Sequence, residues 1–75
     1  MLEPCQVRMA RAGLKISVRE LAAISGVADS TILRFESGRG AILTTNMSRI
    51  QQALEQAGVV FIAADASGGP GVRMR

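Results

Sequence analysis

The chain has 75 residues, a formal net charge of +3, one cysteine and no histidine. With one cysteine and no histidine we expect no internal disulfide, no Cys/His zinc site and a reducing, cytoplasmic location. No apolar run reaches membrane-spanning length, and the start of the chain lacks the pattern of a secretory signal, so no membrane association is expected. A chain of this size forms one small domain, whose stability depends on tight packing or on a partner subunit.

Eight of the nine basic residues are arginine. Arginine suits bidentate contact with phosphate or guanine. The same bias is also typical of a soluble surface encoded by GC-rich DNA, so charge favours a nucleic-acid partner only slightly. Net charge is informative about partners and not about the fold.

Helical spacing of apolar residues predicts two short helices in the first third of the chain. Pro4 can open the first, predicted over residues 4–13, because the missing N–H costs nothing in the first turn. Ser17 and Glu20 have the spacing of a capping box, which begins a second helix over residues 17–25.

A third helix is predicted from Asp29 to Ser37, followed by a loop over residues 38–43. Thr44 or Thr45 is predicted to cap a fourth helix. The buried stripe of that helix is expected to consist of Met47, Ile50, Ala53, Leu54 and Ala57.

The pattern changes after Gly58. Residues 59–63 are β-branched, aromatic or small apolar residues over a strand's length, and residues 66–71 are typical of a turn. Residues 72–75 alternate between apolar and basic. These patterns predict a β-hairpin over residues 59–75. The alternative is a frayed, disordered tail. The apolar run argues against disorder for residues 59–63 but not for residues 66–75.

The most informative stretch is residues 18–37, where two short helices are joined by a tight turn at Gly26. Ala22 is small, as required where two helices cross closely. Apolar residues occupy the positions that would face a shared core, namely Leu21, Val27, Ile32 and Phe35. This is the spacing of a helix-turn-helix unit.

From Gln6 to about Leu54 the sequence resembles the Xre/Cro-type, lambda repressor-like helix-turn-helix regulators of phages and bacteria. Residues 30–38 look like that family's recognition helix and are the most specific part of the match. The GGPGVR segment at residues 68–73 is similar to an ending found on a subset of short bacterial members.

The resemblance implies a mostly α fold, with a four-helix DNA-binding bundle at residues 1–58 and a C-terminal β-hairpin at residues 59–75. It implies a sequence-specific transcriptional regulator, most simply a repressor, that binds double-stranded DNA at a near-palindromic operator in the nucleoid. A homodimer is expected because an isolated hairpin is marginally stable in water. The predicted dimer interface consists of Val59, Val60, Phe61, Ile62, Val72 and Met74.

The same resemblance implies roles for individual positions on the recognition helix. Base contacts fall to Asp29, Ser30 and Arg34. Arg34 would contact guanine O6 and N7, and Asp29 would accept from a cytosine amino group or only complement the helix N-terminus. Thr31 and Leu33 are neighbours that could touch a phosphate or a thymine methyl group.

Phosphate contacts are implied for Ser17, Ser37 and Arg39. An internal ion pair between Arg11 and Glu36 is implied to fix the angle between the first and third helices. Three further arginines, Arg8, Arg19 and Arg49, are expected to be solvated.

The sequence departs from the family pattern at two positions. Val18 stands where many members carry a glutamine that contacts phosphate, which puts that contact in doubt. Ala28 replaces the usual Ser or Thr cap of the recognition helix, so either Asp29 caps the helix or its charge complements the N-terminus.

No catalytic residues, metal, cofactor or small-molecule substrate are expected, because the chain has no histidine and its few carboxylates are not paired in sequence. The alternative to a DNA-binding regulator is a protein-binding adaptor, such as an antitoxin or an anti-activator. In that case the hairpin would meet a protein partner, and DNA binding would be weak.

Overall fold

A computed structural model describes residues 2–75 of the chain, within which four helices are followed by two antiparallel strands. The predicted arrangement of a mostly α bundle with a C-terminal hairpin is confirmed. The elements are α1 (Pro4–Leu14), α2 (Val18–Ser25), α3 (Asp29–Glu36), α4 (Thr44–Gln56), β1 (Val59–Ile62) and β2 (Gly71–Met74).

The ends of α2 follow the predicted signals. The Glu20 N–H donates to Ser17 Oγ and the Ser17 N–H donates to Glu20 Oε1, each at 3.0 Å, which completes the capping box. Gly26 ends the helix with a φ of 74°, a left-handed conformation that glycine adopts without steric cost. Only residues 26–28 separate α2 from α3, so the two helices form the tight turn that the spacing indicates.

The starts of α3 and α4 have no side-chain cap. Ala28 occupies the N-cap of α3 without a side-chain hydrogen bond, so Asp29 lies within the first turn, where its charge complements the helix N-terminus instead of capping it. The prediction that Thr44 or Thr45 caps α4 is wrong. Leu43 holds the N-cap position because its carbonyl already accepts the first helical hydrogen bond.

The core lies between the four helices and β1. The residues predicted to face it from the helix-turn-helix unit are all buried, as are the first four positions of the predicted α4 stripe. The prediction for Ala57 is wrong: it is the C-cap residue just beyond the end of α4 at Gln56, and it is exposed. The largest completely buried side chains are Leu21, Ile32, Ile50, Leu54, Val7 and Val59.

The hairpin packs against the bundle and does not stand free. Its register pairs Val59 with Met74 and Phe61 with Val72, so these four side chains share the face directed at α1 and α4. Val59 is completely buried, and Phe61 and Val72 pack against the core. This contact stabilises within one protomer a hairpin that would be marginal alone.

A buried glutamine of α1 anchors the hairpin. Gln6 Nε2 donates to the carbonyls of Ile62 and Gly71 at 3.1 Å each, and Gln6 Oε1 accepts from the Glu3 N–H at 2.8 Å. The side chain is therefore fully hydrogen-bonded where it is buried, as buried amides require. The sequence pattern gave no indication of this contact, because its partners are 56 and 65 residues away.

The end of β2 lies across α1 at Gly13. A Cβ atom on Gly13 would overlap Met74 Cε and lie 3.1 Å from Met74 Sδ. The glycine therefore opens the space that the methionine side chain occupies on the helix surface.

Candidate nucleic-acid interface

The outer face of α3 is formed by residues spaced three and four positions apart, as expected for one side of a helix. Ile32, Phe35 and Glu36 are buried on its opposite side, and Thr31 is half-buried at the margin. The exposed residues of this face are Ser30, Leu33, Arg34 and Ser37.

Two shallow depressions adjoin along this face and share Ser30 and Leu33. Six of the eight residues for which DNA contacts were predicted line one or the other. The first depression is lined by Ser30, Leu33, Arg34, Ser37 and Arg39. The second is lined by Val18, Arg19, Asp29, Ser30 and Leu33. The tertiary structure thus brings the start of α2, the length of α3 and the loop after it onto one surface.

The Arg34 side chain folds back toward the loop that follows α3. A Cβ atom on Gly40 would lie 3.4 Å from Arg34 Nη2, and Gly40 has a φ of 154°, which favours glycine. The Arg39 N–H donates to the Arg34 carbonyl at 3.1 Å, so the loop turns back over the end of the helix. The guanidinium group therefore lies within van der Waals reach of Gly40, a contact that the sequence did not reveal.

The surface has an excess of positive charge. Arg19, Arg34 and Arg39 are exposed and line the two depressions, whereas Asp29 is the one carboxylate among residues 2–75 that lines either. Exposed guanidinium groups around a helix of this kind favour a polyanionic partner.

The two predicted phosphate-binding serines differ in their hydrogen bonding. Ser17 Oγ accepts from the Glu20 N–H at the exposed start of α2, which leaves its proton free to donate outward. Ser37 Oγ donates to the Leu33 carbonyl at 2.8 Å. A phosphate contact from Ser37 therefore requires its hydroxyl group to rotate away from Leu33.

Behind this face, α3 is joined to α1 by the two residues for which the resemblance implied an ion pair. Arg11 Nε lies 2.6 Å from Glu36 Oε2, and Arg11 Nη2 lies 2.7 Å from Glu36 Oε1. The Glu36 side chain is 4% exposed and that of Arg11 is 21% exposed. The hydrogen bond to Glu36 raises the pKa of Arg11 above its ordinary value, so its positive charge is retained at any physiological pH.

A model of the helix-turn-helix family, HTH_3, matches residues 7–56, which is about two thirds of the chain and includes all of α2, α3 and α4. The protein belongs to this Xre/lambda repressor-like helix-turn-helix family. It is a DNA-binding transcriptional regulator, from a family of regulators and not of enzymes. No curated protein matches the chain.

None of the helices between residues 2 and 75 of this helix-turn-helix regulator is both long and apolar enough to cross a lipid bilayer.

A second arginine of α1 also supports α3 in this regulator. Arg8, expected to be solvated, donates instead from Nη1 to the carbonyl of Glu36, the last residue of α3. Carbonyls at a helix C-terminus lack helical partners and are satisfied by such donors. Arg11 Nη1 also donates to the Ile16 carbonyl at 3.2 Å, so two arginines of α1 hold the end of α3 and the loop before α2.

Of the six residues predicted for a dimer interface, Val59 has no surface for a partner, because it is completely buried in the core of its own protomer. The register places Val60 and Ile62 together on the outer face of the hairpin, where they are 37% and 41% exposed. The other three lie on the inner face, where Phe61 and Val72 are half-buried and Met74 is 37% exposed.

Proposed function

We propose that this helix-turn-helix regulator is a sequence-specific repressor that binds a near-palindromic operator as a homodimer. One observation carries the proposal: α3 presents an exposed, arginine-flanked outer face while its opposite side is held in the core. A rigid helix with one free polar side can enter the major groove, where sequence is read from base edges.

In this proposal, the base contacts are made by Asp29, Ser30 and Arg34. The Arg34 guanidinium, now folded over Gly40, extends to donate to guanine O6 and N7. The exposed Asp29 carboxylate accepts from the amino group of a cytosine. Thr31, which is half-buried, borders this contact.

Phosphate contacts position the helix and supply most of the affinity. Ser17 lies at the N-terminus of α2, where backbone N–H groups and the helix dipole favour an anion. Ser37 and Arg39 follow the end of α3 and would hold a second phosphate on the other side of the groove.

The dimer contact is proposed at the outer face of the hairpin. Val60 and Ile62 are exposed there, and both strands of the two-stranded sheet have unpaired edges. If the hairpins of two protomers associate about a two-fold axis, the outer face of each would be covered. The two copies of α3 would then lie about 34 Å apart, which is one helical turn of DNA. Such a dimer represses most simply by occluding a promoter.

The exposed outer face of the hairpin is also the observation that favours the alternative function. If that face binds a different protein, the chain acts as an adaptor, such as an antitoxin or an anti-activator, and its affinity for DNA is low. The two functions differ in what the purified protein does with DNA alone.

Selection from a pool of randomised duplex DNA tests the proposal. We expect enrichment of one sequence with two symmetric half-sites, a Kd in the range of about 10⁻⁸–10⁻¹¹ M, and a steep loss of affinity as salt is raised. Sedimentation of the complex should give two protein chains per duplex. Weak binding with no enriched sequence would overturn the proposal and favour the adaptor.

A further inference from the structure

The second depression on the proposed DNA-facing surface has a mainly apolar lining. It lies between the start of α2 and the outer face of α3, and Val18 and Leu33 contribute its apolar side chains. Val18 is half-buried and packs at the edge of the core, whereas the Leu33 side chain is 57% exposed. Arg19, Asp29 and Ser30 complete the lining of the depression.

An apolar depression with exposed arginines beside it favours an occupant that combines a small apolar group with a polyanion. Duplex DNA offers one such group in the major groove, the C5-methyl of thymine, next to the acceptor O4. The neighbouring Arg34 and Arg39 supply the charge that draws phosphates to the same surface. This charge complementarity favours DNA over an apolar ligand or an apolar protein segment.

We infer that Val18 and Leu33 are the two walls of a receptor for a thymine C5-methyl group, and that this contact helps to determine the operator sequence. The inference rests on the proposed function. Val18 stands where the sequence departs from its family by lacking a polar side chain, so the loss of one phosphate contact is accompanied by the gain of an apolar wall. One wall comes from α2 and the other from α3, so the turn at residues 26–28 sets the width of the receptor.

Replacement of single thymines by uracil tests the inference, because uracil lacks only the methyl group and retains every hydrogen-bonding atom of the base. The probe is the duplex enriched from randomised DNA. One thymine in a half-site is expected to weaken binding about fourfold when replaced, the effect of one buried methyl group. In Leu33→Ala and in Val18→Ala this difference between thymine and uracil should disappear or shrink.

Ile24→Ala is the matched control, since Ile24 is an exposed apolar residue of α2 that lines neither depression. It should retain the full difference between thymine and uracil. Any effect of the methyl group on the stiffness of the DNA itself would be common to all the proteins and would cancel. Circular dichroism of each variant shows whether the fold is intact.

The inference is overturned if no thymine replacement alters binding of the unmodified protein, or if the effect persists unchanged in both wall variants. Failure of the proposed function has a different signature, because no duplex would then be enriched at all.

Discussion

Arg11 and Glu36 join α1 to the end of α3 through two parallel hydrogen bonds of 2.6 and 2.7 Å. A planar guanidinium group and a carboxylate match each other in this geometry, and neither is freely solvated. The pair lies on the side of α3 opposite the proposed DNA-binding face. The pair therefore fixes the orientation of that face relative to α1, and it takes no part in contacts to DNA.

Replacement of Glu36 by alanine should destabilise the protein by about 3 kcal/mol, the lower end of the range for breaking a buried pair, because Arg11 is one-fifth exposed. Urea denaturation measures the loss, and Arg49→Ala, an exposed arginine of α4, should change stability by less than about 0.5 kcal/mol. If Arg11→Ala, Glu36→Ala and the double variant prove additive, the two residues are not coupled.

Arg34→Ala should weaken binding to the selected operator by about 1–3 kcal/mol and relax the preference at one base pair, because a bidentate contact to guanine is lost. Arg39→Ala is the matched comparison. It should weaken binding to all sequences and reduce the salt slope by about one. Fluorescence anisotropy with operator variants measures both, and an unchanged sequence preference in Arg34→Ala would show that another residue reads the base.

Ile62→Lys should convert the dimer to a monomer, because a charge placed in the proposed hairpin interface would be buried on association. Ile62 is 41% exposed and faces Gly71 across the hairpin, so the fold of the protomer should be unaffected. Affinity for DNA with two half-sites should fall by about a hundredfold or more, while affinity for one half-site changes little.

Met9→Lys provides the control for this experiment, since Met9 is exposed to a similar degree on α1. Sedimentation equilibrium reports the oligomeric state of both variants. A dimer that persists in Ile62→Lys would place the interface elsewhere on the protomer.

Substitutions at Gly13 and Met74 should have non-additive effects on the free energy of unfolding, because side chains at these two positions would compete for the same space. Alanine in a helix is favoured over glycine by about 1 kcal/mol, but a Cβ atom at Gly13 would displace the end of the Met74 side chain. Gly13→Ala should therefore stabilise the Met74→Ala variant by about 1 kcal/mol and stabilise the unmodified protein less, or not at all. Denaturation of the four proteins at one protein concentration tests this coupling, and equal effects in both backgrounds would argue against the contact.

The turn of the hairpin should respond to acid through Asp65. Asp65 Oδ1 accepts from the Ser67 hydroxyl at 2.8 Å and from the N–H groups of Ser67 and Gly68. These bonds lower the pKa of Asp65 below its ordinary value of 3.8. A carboxylate with a lowered folded-state pKa stabilises the turn above pH 3.8, and that stabilisation is lost as the pH falls below it.

The amide chemical shifts of Ser67 and Gly68 should follow this titration, with a midpoint below 3.8. Ser67→Ala removes the largest contribution, the bond from the serine hydroxyl, so its midpoint should rise toward the ordinary value. A midpoint at or above that value in the unmodified protein would show that the turn bonds do not favour the ionised form.

Local signals in the sequence were sufficient to predict the elements of this protein. The capping box of Ser17 and Glu20, the left-handed turn at Gly26 and the apolar run after Gly58 each act within a few residues, where backbone conformation depends on the nearest side chains. The family resemblance added the recognition helix. The start of α4 lacked such a signal, and the predicted N-cap, Thr44 or Thr45, lies one or two residues after the observed N-cap, Leu43.

Only the tertiary structure decided which distant residues meet. Gln6 reaches the hairpin, Arg8 reaches the end of α3, and Val18 comes beside Leu33, although nothing in their own neighbourhoods specifies these partners. Side-chain hydrogen bonds and shape contacts act over a few ångströms of space, whereas sequence patterns report only on positions within a turn or two of the chain. The helices and strands could therefore be predicted from the residues alone. The surface that they build could not, because it depends on how α1, α2 and α3 pack together.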